Sequence, residues 1–314
     1  MMIYSETRGF NVLGDWGAHG ITEWLNFDAD RYKKMISIAK ERFPGMNTAR
    51  IWLSFDAYIA DRDKYLMAVQ SATDILTEAG LNIIPTYYNG WHGNPDFGGY
   101  TSANVRENNL PIYVRCTKDT TEILKDANIL MFDVSNEPFN TTQGDLKAYD
   151  TISRFLEVMS QTIREKDSRP ITIGTQCYPP YPSDRRVCDV DRVAPLVDVF
   201  SLHPYNIYGL SQPEYEKIFT SVLDYIKPFG KPYLITECVW GAPTADGRKK
   251  YLESELETFH KYNVGFICHA LFTCPVADLY PLEDLGCTEG LYMAFLDKEF
   301  NIRPHHDIFN RYAK

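Results

Sequence analysis

What the 314-residue sequence lacks narrows its function first. No apolar run reaches the roughly 18 residues that a membrane-spanning helix requires, so no membrane partner is expected. Lys and Arg (32) are outnumbered by Asp and Glu (42) and form no run or patch; the net charge of −10 argues against a nucleic-acid partner. Neither a Gly-x-Ser-x-Gly elbow nor a phosphate-cradling glycine loop occurs, which sets aside serine hydrolases and nucleotide enzymes. The seven cysteines, at 116, 177, 188, 238, 268, 274 and 287, are odd in number and irregularly spaced. That is the usage of reduced thiols, not of a disulfide framework. The Cys268–Cys274 spacing and the His305-His306 pair do not match metal-ligand patterns, so no metal and no cofactor is expected. The first residues hold no basic segment followed by an apolar one. A complete chain is therefore expected in the cytoplasm, and a secreted one only if a leader has been removed.

What is present is an ordinary apolar content (44%) with an unusual share of aromatics (14%), led by 21 Tyr and 17 Phe. Such rings fill cores, and they also stack on the apolar faces of sugars. Apolar runs and helical stripes alternate along the chain. The runs lie at 9–14, 48–53, 81–86, 129–137, 171–175, 197–203, 233–237 and 265–272. Between them, helical spacing covers 29–43, 61–79, 111–127, 146–166, 213–229 and 245–262, and a last helix is expected near 305–312. Eight strands separated by helices, with no linker or composition shift, are the count for a closed α/β barrel, (β/α)8, in one domain over residues 1–314. The alternative is an open doubly wound sheet, but no glycine fingerprint follows the first run.

In such barrels the chemistry lies at the carboxyl ends of the strands. Two apolar runs stop there at a glutamate, Phe132-Asp133-Val134-Ser135-Asn136-Glu137-Pro138 and Tyr233-Leu234-Ile235-Thr236-Glu237. Around them the strand ends bring Asp15, Trp16, Arg50, Trp52, Trp91, His92, Asn136, His203, Tyr205, Trp240 and Phe272 to one face. Two carboxyl groups suit cleavage of a glycosidic bond, one protonating the leaving oxygen and the other supporting the developing cation from below. Arg50 is permanently charged and is expected to keep Glu237 ionised as the nucleophile. Glu137 is then the acid/base. Tyr205 could donate to the nucleophile and Asn136 to a ring hydroxyl. His92 and His203 are expected to touch sugar or carboxylate, while Trp16, Trp91 and Trp240 line the cleft or cap the barrel. Trp52 is expected to pack under Arg50, and Cys238 to be a small buried apolar side chain.

These residues resemble a known family. Asn136-Glu137-Pro138 and Thr236-Glu237 are similar to the acid/base and nucleophile motifs of the retaining glycosidases with a barrel fold, above all glycoside hydrolase family five, the cellulase and β-mannanase family. The resemblance extends to Arg50 after the second strand, His92 after the third, and His203-Pro204-Tyr205 after the sixth. It implies a retaining β-glycoside hydrolase acting on β-linked glucan or mannan, with a carbohydrate as its partner and no cofactor. The family has a tryptophan after strand eight, where this chain reads His269-Ala270-Leu271-Phe272. Phe272 or Trp240 is expected to take its place. A non-catalytic sugar-binding barrel, an exo-acting β-glucosidase or β-mannosidase, and a transglycosylase are the alternatives. Long loops at 89–109, 176–186 and 273–292 favour exo action.

Overall fold

The structure, a computed structural model, describes residues 4–16, 20–90, 105–142, 144–273 and 293–313. Eight parallel strands close into a barrel in sequence order. They are β1 (Arg8–Val12), β2 (Thr48–Trp52), β3 (Asn82–Asn89), β4 (Phe132–Asn136), β5 (Ile171–Gln176), β6 (Phe200–His203), β7 (Tyr233–Ile235) and β8 (Phe266–Cys268). The cylinder closes where Arg8, Gly9 and Phe10 pair with Phe266, Ile267 and Cys268. The barrel foretold by the alternation of the sequence is therefore the fold.

Outside it, among the described residues, stand α1 (Gly20–Leu25), α2 (Ala29–Arg42), α3 (Phe55–Ala60), α4 (Arg62–Glu78), α5 (Leu110–Ile123), α6 (Leu146–Arg164), α7 (Asp189–Val193), α8 (Gln212–Ile226), α9 (Ala245–Lys261) and α10 (Phe309–Tyr312). Their beginnings follow from local chemistry. Asp28 accepts from Arg31 N at 3.0 Å and Asp61 from Lys64 N at 3.1 Å, each supplying an acceptor to an otherwise unpaired first-turn amide. Ser211 and Glu214 form a capping box at the start of α8. The stripe expected on α2 (Tyr32, Met35, Ile36, Ala39) is the buried one, and α6 buries Ile152, Phe155, Leu156, Met159 and Ile163 at the same helical spacing.

Inside the barrel the layers change character along the axis. Ile84, Leu234 and Ile267 belong to a small apolar cluster with Leu130, Met131 and Val199. Two residues further along three of these chains come Thr86, Thr236 and His269, which therefore project to the same side, one layer higher. The apolar layer seals the barrel and the polar layer opens toward the site.

Three details differ from the expectation. The fourth strand is Phe132–Asn136, inside the expected 129–137 run but starting three residues later; of the residues before it, Ile129 makes an isolated bridge to Ile83. The eighth strand ends at Cys268 instead of continuing to 272. The final segment divides into a 3-10 turn (His306–Ile308) and the short α10. Helices α1 and α3 were also not anticipated, being six residues each and too short for a clear stripe.

Candidate active site

The site is built upward from a buried arginine. Arg50, on β2, is fully buried, and its guanidinium distributes bonds to four partners. Nε and Nη2 donate to Asp133 Oδ2 at 3.0 and 2.7 Å. Nη1 donates to Asn11 Oδ1 at 2.7 Å and to Glu237 Oε1 at 2.5 Å, and Nη2 also reaches Asn136 Oδ1 at 2.9 Å. A buried cation is tolerable only when anions and acceptors replace its water, and here they do. Asp133 is held in turn by Thr86 Oγ1 (2.9 Å) and by the amide of Gly174 (3.2 Å). The guanidinium also lies over the Trp52 ring, 5.6 Å from its centroid, as expected of packing under Arg50.

Glu237 follows directly on Thr236 after β7 and is buried. Besides Arg50 it accepts the Tyr205 hydroxyl at Oε2, 2.8 Å away. Burial alone would raise its pKa. The charges of His203 and Arg50 outweigh that, with smaller help from His269 and the Tyr205 hydrogen bond, and hold it well below the ordinary 4.5, at about 2. The carboxylate is thus ionised under all ordinary conditions.

Glu137, at the end of β4, faces it. Its backbone is in the left-handed region (φ 42°), a conformation that non-glycine residues adopt only where the surroundings impose it. Those surroundings are the hydrogen bond from its amide to Gly174 O (3.0 Å) and the close passage of β3. A Cβ added to Gly90 would lie 2.6 Å from Glu137 O and 2.6 Å from Pro138 Cα, so only glycine fits there. The Glu137 carboxyl accepts from Asn140 Nδ2 at 2.7 Å and Gln176 Nε2 at 2.9 Å. His203 joins the two acids. Its Nδ1 stands 2.8 Å from Glu137 Oε1 and 3.7 Å from Glu237 Oε2, and its Nε2 bonds Thr236 Oγ1 at 3.0 Å. One oxygen of each glutamate and one His203 nitrogen lie within 4.8 Å of one another. This trio has donor types that suit a divalent cation. Arg50, however, already places a positive charge against Glu237, where a second cation would meet repulsion.

Of the anticipated residues, the structure brings together Glu137, Glu237, Arg50, Asn136, His203 and Tyr205. Asn136 serves Arg50 and donates Nδ2 to Asn89 Oδ1 at 3.2 Å. Trp240 meets the Tyr205 ring edge-on at 5.2 Å. Trp16 is half-buried, donates Nε1 to Glu23 O (3.2 Å) and packs against Phe27 and Tyr32; none of these contacts reaches the two acids. Trp91 and His92 lie outside the described residues. Phe272 requires correction. It is 1% exposed, bridges to Leu296 and meets Phe300 edge-on, so its ring packs in the core and is not offered to a sugar. The residue that follows β8 toward the site is His269, stacked on Trp52 with centroids 5.7 Å apart. Burial pushes its pKa down to about 4, against the pull of Glu237, and its Nδ1 has no hydrogen-bond partner among the described residues.

Sequence reasoning missed Asn11, Asp133, Asn140, Gln176, Thr236 and His269. Asp133 and Ser135 do alternate with Phe132, Val134 and Asn136 in a strand otherwise read as continuously apolar, and that period of two was the available signal. Tyr178 was also missed; burial and then the charge of Glu137 push its phenol well up.

Comparisons with known proteins agree with the barrel fold. The family model for cellulase (glycosyl hydrolase family 5) matches residues 6–271. No curated protein matches. Among solved structures, an exo-β-1,4-mannosidase from Opitutaceae bacterium strain TAV5 superposes with a TM-score of 0.76 at 17% identity, over 98% of this chain and 59% of that one. A GH5_18 protein from Bifidobacterium longum subsp. longum gives 0.75 at 16% identity, covering 97% and 78%. A GH113 β-1,4-mannanase gives 0.63 at 14% identity, covering 99% of both chains. At these identities the likeness is one of fold. The chain spans 59% of the length of the exo-mannosidase.

Proposed function

The chain belongs to glycosyl hydrolase family 5 and is a glycosidase, and from that premise we propose that it is a retaining β-glycosidase in which Glu237 is the nucleophile and Glu137 the acid/base. The observation that carries the reading is the close approach of the two acids, with an oxygen of each and the shared His203 nitrogen within 4.8 Å. Retaining enzymes hold their carboxyl groups about 5–5.5 Å apart, inverting ones roughly 6.5–9.5 Å, because inversion must admit a water between the basic carboxylate and the sugar. The contact from Arg50 to Glu237 supports the division of labour, since the acid beside a permanent cation is the one kept ionised to attack.

In the first step Glu137 delivers its proton to the leaving oxygen while Glu237 bonds to the anomeric carbon. Tyr205 and Arg50 keep the attacking carboxylate in one orientation. In the second step Glu137 takes a proton from water as the water oxygen bonds to the anomeric carbon and the bond to Glu237 breaks, which releases the sugar with its original anomeric configuration and frees the Glu237 carboxylate. Asn140 and Gln176 hold the Glu137 carboxyl through both steps.

The substrate proposed is a β-linked gluco- or manno-oligosaccharide, with β-1,4-mannosides to be tried first. Support comes from the names of structural neighbours, an exo-β-1,4-mannosidase and a β-1,4-mannanase. Aryl β-mannoside, aryl β-glucoside, cello-oligosaccharides and manno-oligosaccharides should be compared directly. Glu237→Ala should abolish turnover, and azide should restore it with an inverted glycosyl azide as product. Near-normal activity in that variant, or an inverted first product from the unaltered enzyme, would refute the assignment.

A further inference from the structure

Behind the two acids, α9 sends two side chains inward that the reaction above does not use. Glu255 and Arg248 are seven residues apart, so they share one helix face, and both are fully buried. The Glu255 carboxylate accepts three backbone amides from two different strand ends. Oε1 takes Asn206 N at 2.9 Å and Trp240 N at 3.3 Å, and Oε2 takes Val239 N at 2.6 Å. Asn206 immediately follows Tyr205, and Val239 is two residues after Glu237. Val239 stands at φ 70°, a left-handed conformation that a β-branched residue adopts only where its surroundings impose it, and the Glu255 bond to its amide holds it there. Arg248 extends the brace to the next strand end, donating Nη2 to His269 O at 3.2 Å.

We propose that Glu255 is a positioning residue for the reaction: it fixes the chain after β6 against the chain after β7, so that the Tyr205 hydroxyl meets Glu237 Oε2. Arg248 secures the same helix to the end of β8. Three amides bound to one carboxylate define where two backbones lie relative to each other. The 2.8 Å contact between Tyr205 and Glu237 is the distance that this registry delivers. The inference rests on the reading of Glu237 as nucleophile.

The test is a double-mutant cycle read with the aryl glycoside that the enzyme turns over best. Glu255→Gln keeps the shape but turns an amide donor toward an amide donor, and Tyr205→Phe removes the hydroxyl. Each alone should lower kcat roughly ten- to a hundredfold with KM little changed, as for an interaction made in the transition state. Together they should cost little more than either alone, because the hydroxyl that Glu255 positions is already gone. A purely structural Glu255 would instead give losses that multiply. Glu255→Asp, which keeps the charge and withdraws the carboxylate by one methylene, provides the same cycle if Glu255→Gln does not fold. Unchanged kcat in both Glu255 variants, or full multiplication with Tyr205→Phe, would overturn the proposal. Should the nucleophile assignment itself fail, Tyr205→Phe and Glu237→Ala would leave kcat intact, an outcome distinct from a failure of Glu255 alone.

Discussion

Arg50 and Asp133 meet inside the barrel with both side chains wholly removed from solvent, two guanidinium nitrogens converging on one carboxylate oxygen at 3.0 and 2.7 Å. Replacing Arg50 strips Asp133 of its buried cation, and replacing Asp133 leaves Arg50 paired with Glu237 but without the anion that takes two of its nitrogens. Removing one partner of such a pair typically costs about 3–5 kcal/mol. Asp133→Ala should therefore lower unfolding stability by about that amount in urea titrations, and kcat should fall with it as Arg50 loses its orientation toward Glu237. A stability loss under about 1 kcal/mol would contradict this account of the pair.

Tyr205 offers a smaller perturbation. Its hydroxyl bonds an ionised carboxylate, and hydrogen bonds to charged groups contribute about 1.5–3 kcal/mol. Tyr205→Phe should reduce kcat/KM by roughly ten- to a hundredfold. The melting temperature should change little, since the ring keeps its edge-on contact with Trp240.

Glu237 gives the protein a defined response to acid. Its ordinary pKa is 4.5 and its folded value about 2, so the folded form holds this proton more weakly than the unfolded one. The stabilisation is complete above pH 4.5 and is lost as the pH falls toward 2. Melting temperatures measured across that window should drop steeply for the unaltered protein and less steeply for Glu237→Gln.

Glu23 acts in the opposite direction. Burial lifts its pKa from 4.5 to about 7, against the hydrogen bond from Gly14 N, and its Oε2 has no partner among the described residues. Here the folded state binds the proton more tightly, so stability declines as the pH rises from 4.5 through 7. Glu23→Gln keeps the acceptor for Gly14 and removes the titration. It should raise the melting temperature at pH 8 and leave it nearly unchanged at pH 5. Asp189 and Glu255, both also pushed up to about 7 by burial, should retain part of the slope in that variant.

The barrel was readable because strands buried on both faces and amphipathic helices have different periods, and the chain alternates between them without a break. The two glutamates and Arg50 were readable because a charged residue inside or just after an apolar run needs an explanation. Asn11, Gln176 and Asn140 were not. Each is an ordinary polar residue in its own stretch, and only the parallel pairing of β1 with β2 and of β4 with β5 brings Asn11 to Arg50 and Gln176 to Glu137. Phe272 was misplaced for a related reason. The eighth strand ends at Cys268, so the side chain that enters the site is His269, and nothing in the apolar run from 265 to 272 marks that end.

The contact between Gly90 and the main chain of Glu137 bears on how mutational scans of this enzyme should be interpreted. Residue 90 carries no functional group, yet a single added carbon there would displace the carbonyl and the following proline of the proposed proton donor. A saturation library at this position should therefore yield inactive clones of every chemical type, a fingerprint indistinguishable from that of a reacting side chain. The sensitivity arises where two main chains run too close together to admit a side chain, and that proximity sets the aim of the acid.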